Sequence, residues 1–302
     1  QPRSRGLGDV YKRQLSNNQG MEDVQGVVEL AIRAEQLGFD SVWASEHVFN
    51  VSYVYDRIGT KPYYEPLTVL TYVAAMTTTI GLGTSVLVLP YHNAIRLAKV
   101  ASTLDVLSKG RVMLGVGVGV IEEELEAMGS PYAERGAISD EILDVMVELW
   151  TKDDPAYDGK YYQFSGMKFT PKPVQKPHIP IIIGGTSRAA IRRAARIGTV
   201  WHPTALAPDT LAEGIDYLKN QAVKIGRDPS EIGVSVSAAM GNTHNHNRYS
   251  LGDEPEEIIE RSLKYAEMGL ERLVVSPNTR NQDQLQPIME MLAEIVLPAV
   301  QR

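Results

Sequence analysis

Three times in this chain a run that reads as helix ends at a glycine and passes directly into an apolar segment. The three junctions are Ala34-Glu35-Gln36-Leu37-Gly38-Phe39, Ala194-Ala195-Arg196-Ile197-Gly198-Thr199 and Ala266-Glu267-Met268-Gly269-Leu270. A glycine just past a helix end is a stop signal, and the apolar residues behind it start a buried strand. Reuse of one junction is what repeated βα units produce. Strand-like runs fall near residues 40, 80, 111, 180, 199, 232 and 272. Seven parallel strands in 302 residues predict an eight-stranded (β/α)8 TIM barrel with one strand uncounted before the first helix. A doubly wound open α/β sheet is the competing arrangement, since alternation alone does not separate the two.

Helical stripes fill the intervals. Val24, Val27, Val28, Ala31, Ala34 and Leu37 recur at three and four over residues 21–37. Further helices are expected over 66–78, 93–108, 134–150, 208–225, 255–268 and 283–300, with a polar loop at 241–252. Residues 153–178 break the rhythm: they are rich in Tyr, Gly, Pro and Lys, and Tyr161-Tyr162-Gln163-Phe164 alternates like a hairpin arm. This stretch reads as an insertion after the fourth βα unit. Residues 1–14 also stand apart, with two glycines, a proline and four basic residues. Gly8-Asp9-Val10-Tyr11-Lys12-Arg13-Gln14 resembles a translation artefact found at the ends of metagenomic reading frames. That makes residues 1–14 a foreign or disordered segment and 15–302 a single domain, with the first strand replaced or missing.

Composition removes several function classes. There is no cysteine, which excludes thiol catalysis, disulfides and thiolate metal sites. A net charge of −7 argues against nucleic acid or an anionic membrane as partner. No apolar run approaches the roughly 18 residues of a membrane span. Basic residues at the N-terminus are followed by no apolar core, so a secretory signal is not expected and the cytoplasm is the expected compartment.

In a closed barrel the chemistry belongs at the C-terminal ends of the strands. The second strand ends Ser45-Glu46-His47, the third Thr84-Ser85-Val86-Leu87 and the fourth Gly115-Val116-Gly117-Val118-Gly119. The fifth is Ile181-Ile182-Ile183, followed by Gly184-Gly185-Thr186-Ser187 and an Ala/Arg-rich helix. Glycines there let the backbone approach a ligand, and helix-start amides suit a phosphate. The plainer reading is a tight βα turn with Thr186 or Ser187 as an ordinary cap. His47 alone among these side chains has an unperturbed pKa near neutrality, which suits a general acid or base. Its plainer reading is a histidine bonded to a neighbouring backbone group. Glu46 is a carboxylate available to orient it, although neighbours on an extended segment point to opposite faces.

The alternate glycines 115, 117 and 119 fail the dinucleotide fingerprint, because Val120 and Glu122 stand where a third glycine is required. They fit instead a flat surface for a planar ring. His244 and His246, among Asn242, Asn245 and Asn247, have no further ligand at metal spacing and read as a solvated loop, so no metal is expected. The run Glu122-Glu123-Glu124 reads as a helix opening.

Four of these motifs, in order and spacing, resemble the luciferase-like flavin monooxygenase superfamily, closest to its coenzyme F420 (deazaflavin) dependent oxidoreductases. They are residues 37–47, Ile80-Gly81-Leu82-Gly83-Thr84-Ser85-Val86, Gly110 through Glu124, and Ile183 through Ser187. The resemblance implies a (β/α)8 barrel holding F420, or alternatively FMN, with the phosphate at Gly184, Gly185, Thr186 and Ser187. It places the ring over the third strand, near Ser85, Val86, Gly117, Val118 and Gly119. It implies a cis peptide bond joining Ser85 to Val86, His47 as the catalytic acid or base, and a homodimer. Two departures qualify it. Val120 stands where the family's sugar-phosphate dehydrogenases carry a catalytic Glu, and Tyr132-Ala133-Glu134-Arg135-Gly136 lacks the His and Tyr of an FMN-type His-x-x-Arg-Tyr motif. Three functions follow: hydride transfer between F420 and a small organic substrate, an FMN monooxygenase using O2, or a non-catalytic flavin-binding barrel. Tyrosine-rich walls at 49–64 and 153–178 suggest an apolar or ring-bearing ligand.

Overall fold

The computed structural model describes residues 11–13, 20–241 and 249–300. Eight strands among them form the barrel: β1 (Tyr11–Arg13), β2 (Ser41–Ala44), β3 (Gly81–Thr84), β4 (Val112–Gly117), β5 (Ile181–Gly184), β6 (Val200–His202), β7 (Gly233–Ala239) and β8 (Arg272–Ser276). Their ladders are parallel and run β1–β8–β7–β6–β5–β4–β3–β2. β1 also lies against β2, so the sheet curls back on itself and the open-sheet alternative falls. The uncounted strand is β1, inside the atypical N-terminal segment and in register with Leu273–Val275.

Side-chain alternation sorts two cores. Ile181 and Ile183 of β5, and Leu273 and Val275 of β8, face outward into the main core under the helices. Ile182, Val274, Val200 and Trp43 face inward and pack together with Met113 at the barrel axis. A Cβ on Gly83 would collide with the Trp43 indole, so that glycine makes room for the largest inward side chain.

The helices follow the expected intervals: α1 (Val24–Gln36), α2 (Ser52–Ile58), α3 (Pro66–Met76), α4 (Ala94–Leu107), α5 (Glu122–Ala127), α6 (Arg135–Thr151), α7 (Arg188–Ile197), α8 (Pro208–Lys224), α9 (Pro255–Glu267) and α10 (Gln282–Met291). α2 was not anticipated. Residues 292–296 continue α10 as a π-turn. The stretch 153–178 carries the short hairpin Tyr157–Asp158 with Gln163–Phe164 and leads back to β5. No helix among the described residues is long and apolar enough to cross a membrane. His244, His246 and their asparagines lie outside the described residues.

One junction shows how polar groups lock the repeat. Glu35, near the end of α1, accepts the amides of Thr78, Thr79 and Ile80 and the Thr79 hydroxyl on one oxygen, at 2.6–2.9 Å. Burial works against its charge, but the bonds from Thr79, Ile80 and Thr78 outweigh it and hold the pKa down at about 2. Because the folded pKa lies below the ordinary value of 4.5, the stabilisation is complete above pH 4.5 and disappears as pH falls toward 2. Glu35→Ala is expected to lower stability by about 1–3 kcal/mol at neutral pH. Melting curves from pH 7 to pH 2.5 should show the gap to wild type closing; a gap that stays constant contradicts this.

Candidate active site

The C-terminal ends of β2 to β6 carry the candidate side chains. β2 runs into Ser45-Glu46-His47, and the alternation of an extended segment sends Glu46 and His47 apart. Glu46 is buried; it accepts the Val88 amide at 2.6 Å and pairs with His92 Nε2 at 2.9 Å. Burial disfavours charge on His92, but Glu46 outweighs it and raises its pKa. Glu46 therefore does not orient His47.

Glu124 does. His47 Nδ1 donates to Glu124 Oε2 at 2.7 Å. The same carboxylate accepts the Val48 and Phe49 amides at 2.8 and 2.9 Å and the Tyr91 hydroxyl at 2.9 Å. Glu124 is fully buried with both oxygens doubly satisfied. Burial pushes its pKa up, but His47, the Phe49 amide and Tyr91 outweigh this and bring it below the ordinary value. An ionised carboxylate can only accept, so the His47 proton sits on Nδ1. Nε2 is then left as an acceptor, and the Tyr53 hydroxyl donates to it at 2.9 Å.

The cis bond expected between Ser85 and Val86 is present. Ser85 N donates to Ala44 O at 2.7 Å, which sets this bond beside the His47 segment. The glycines around it, expected to form a flat surface for a ring, also make room for neighbouring groups. A Cβ on Gly115 would run into the Thr84 carbonyl, one on Gly117 would lie 2.9 Å from Val86, and one on Gly184 2.7 Å from Val86. Val86 thus occupies the notch that Gly117 and Gly184 leave, and Gly119 admits Val88 in the same way. Val118 is half-buried, and Val120 is exposed.

His202, at the end of β6, was not singled out from the sequence. It is buried, lies stacked on Trp43, and reaches Ser85 Oγ with Nε2 at 3.2 Å and Ser235 Oγ with Nδ1 at 2.7 Å. Burial, then the charge of Arg272, lower its pKa to about 3, so it stays neutral.

Beyond β5, Gly185 at φ +115° turns the chain and Ser187 caps α7, its hydroxyl accepting the Ala190 amide at 3.2 Å. Gly185 itself is tied down: its carbonyl accepts from Trp201 Nε1 at 2.9 Å. The amides of Thr186, Ser187, Arg188 and Ala189 have no acceptor among the described residues, and these residues are exposed. That leaves a set of free donors at a helix start, an arrangement suited to an anion. Arg193 binds Asp140 and the Gly136 carbonyl, which sets the start of α6 alongside α7. Arg135, at that start, stacks on Tyr132 at 3.7 Å, and its Nε is buried without a partner.

The His47–Glu124 pair and the open helix start both lie on the strand-terminal face of a parallel barrel, the face on which such barrels carry their sites. The model of the luciferase-like monooxygenase family matches residues 8–246, and the chain belongs to that family. An uncharacterised protein of Mycobacterium tuberculosis is 33% identical over 232 residues, 73% of this chain and 80% of its own. An F420-dependent glucose-6-phosphate dehydrogenase of Microbacterium testaceum is 26% identical over 91% of this chain and 93% of its own. Among solved structures, an F420-dependent secondary alcohol dehydrogenase in complex with an F420-acetone adduct superposes with a TM-score of 0.82 at 19% identity, covering 97% of this chain and 99% of its own. The oxygenating constituent of 3,6-diketocamphane monooxygenase from Pseudomonas putida, in complex with FMN, gives 0.78 at 16% identity, covering 96% and 98%. Both kinds of cofactor user share this barrel.

Proposed function

We propose that the chain is an oxidoreductase that moves a hydride between coenzyme F420 and a small organic substrate, with His47 managing the accompanying proton. The observation that carries this reading is the setting of His47, fixed in one tautomer by a buried carboxylate at the barrel mouth. The residues present fit a phosphate-bearing cofactor: the free amides of residues 186–189 supply donors for the phosphate, and the Val86 notch between β4 and β5 supplies a shaped support. When bound, such a cofactor supplies the hydride chemistry at its ring. His47 Nε2 exchanges a proton with the substrate oxygen, and Glu124 stabilises the imidazolium formed on the way. Neutral His202 holds Ser85 and so fixes the bend that carries Val86.

A second reading, an FMN monooxygenase, is favoured by Arg135, which keeps the arginine of the FMN-type motif and has an unpartnered buried Nε. The loss of that motif's His and Tyr supports F420 instead. Anaerobic photometric titration with each cofactor decides between them. Tight uptake of F420 is expected, and tight FMN binding without affinity for F420 overturns the choice. His47→Ala should keep cofactor affinity while turnover falls about 10²–10⁴-fold.

A further inference from the structure

Between residues 20–23, α2 with the residues just after it, and residues 280–282 lies a cavity of about 580 Å³, with Arg57, Lys61 and Arg280 on its walls. Among the described residues none of these three cations pairs with a carboxylate. Two carboxylates, Glu22 and Asp23, also line it, but Asp23 is occupied in capping α1 through the Gln25 amide. Arg280 is built in rather than adventitious. Its methylenes run past Gly20, where a Cβ would stand 2.9 Å from its Cδ, and its Nε is buried without a partner. Burial, then the nearby charge of Arg57, lowers its pKa from the ordinary value. Two guanidiniums on the walls of one cavity, neither of them ion-paired among the described residues although Glu22 and Asp23 also line it, are an arrangement that an anion completes.

The cavity adjoins the acid–base site. Tyr53 and Arg57 sit one turn apart on α2, and the Arg57 guanidinium lies 5.7 Å from the Tyr53 ring, whose hydroxyl serves His47. Tyr63 forms a second link: its ring is 5.4 Å from that of His47, its hydroxyl is 2.6 Å from Ser45 Oγ, and the charges of Arg57 and Arg280 act on it.

We propose that this cavity is an anion subsite in which Arg57 and Arg280 grip a carboxylate or phosphate group of the substrate, placing its reactive carbon beside Tyr53 and His47. The expected substrate is therefore a small organic acid or phosphate ester, which adds an anionic group to the apolar or ring-bearing ligand that the tyrosine-rich walls suggest. The inference rests on the oxidoreductase reading for the substrate's role, but not for the existence of the subsite.

The test is calorimetric titration of the full chain with inorganic phosphate and, separately, with citrate, alongside photometric titration with F420 and FMN. Saturable anion binding is expected, weakened on the order of 10–100-fold in Arg280→Met and in Arg57→Met, with Arg280→Lys retaining part of it. Arg57 is exposed, so its variant tests the site even if Arg280→Met fails to fold. Preference for phosphate or citrate identifies the anionic group. Absence of saturable binding, or equal affinity in all variants, overturns the proposal. Loss of cofactor affinity together with anion affinity also overturns it, because the cavity would then serve the cofactor. Anion binding without uptake of either cofactor upholds the subsite and refutes the oxidoreductase reading; cofactor uptake without anion binding does the reverse.

Discussion

Replacing Glu124 by Gln is expected to lower kcat/KM by about 10²–10⁴-fold while leaving cofactor affinity within about twofold of wild type. The side chains are nearly isosteric, so the Val48 and Phe49 amides can keep a carbonyl acceptor. What changes is the partner of His47 Nδ1. A neutral amide no longer stabilises an imidazolium, and if its NH2 faces the ring it forces the proton onto Nε2. The pH dependence has a definite sign. The folded pKa of Glu124 lies below its ordinary value of 4.5, so its contribution to stability is present above 4.5 and fades as pH falls through the lower folded value. Steady-state kinetics with a cofactor titration on the same sample checks the split. Equal losses in turnover and cofactor affinity would mean that Glu124 acts only by holding the β2 loop.

Gly115→Ala is expected to be the most damaging single-methyl change in the barrel. The new Cβ would run into the Thr84 carbonyl oxygen, a backbone atom that side-chain rotation cannot move. β3 and β4 would have to separate where Thr84 Oγ1 also donates to the Gly115 carbonyl at 2.7 Å. Overpacking of this kind costs about 1–3 kcal/mol where neighbours can yield, and more where they cannot. A loss on the order of 3–5 kcal/mol is expected, seen as a large drop in melting temperature or as insoluble protein. Gly117→Ala gives a graded comparison, because its new methyl meets only the Val86 side chain. An unchanged melting temperature for Gly115→Ala would show that the two strands can yield.

The barrel was largely legible because its signals are local. The isoleucine triplet, the glycine stops and the helical stripes each lie within a dozen residues of one another. Closure was legible only by counting: seven strands imply an eighth before the first helix, whereas the strand itself lies in a segment with no apolar alternation to mark it. The sequence carries the third strand on to Leu87, but β3 ends at Thr84, before the Ser85–Val86 cis bond, and hydropathy carries no signal for that. Of the site, His47 and the β5 turn were visible and Glu124 was not. Three consecutive glutamates look alike at a helix start, yet only the third falls in line with Ile121 and Leu125 on the buried side of α5. A carboxylate on an apolar stripe was the missed signal. His202, following Val200 and Trp201 in a buried strand, gave a similar one. α2 was also readable in hindsight, from Val51, Val54 and Ile58 at helical spacing before Gly59.

The neutrality of His202 simplifies the kinetics of whatever reaction occurs above it. An imidazole that gains its proton only near pH 3 behaves as a permanent dipole across the physiological range. Any rate transition observed near neutrality must then originate elsewhere, and of the groups on the barrel floor it is Arg272, not His202, that contributes charge to the field an incoming anion feels.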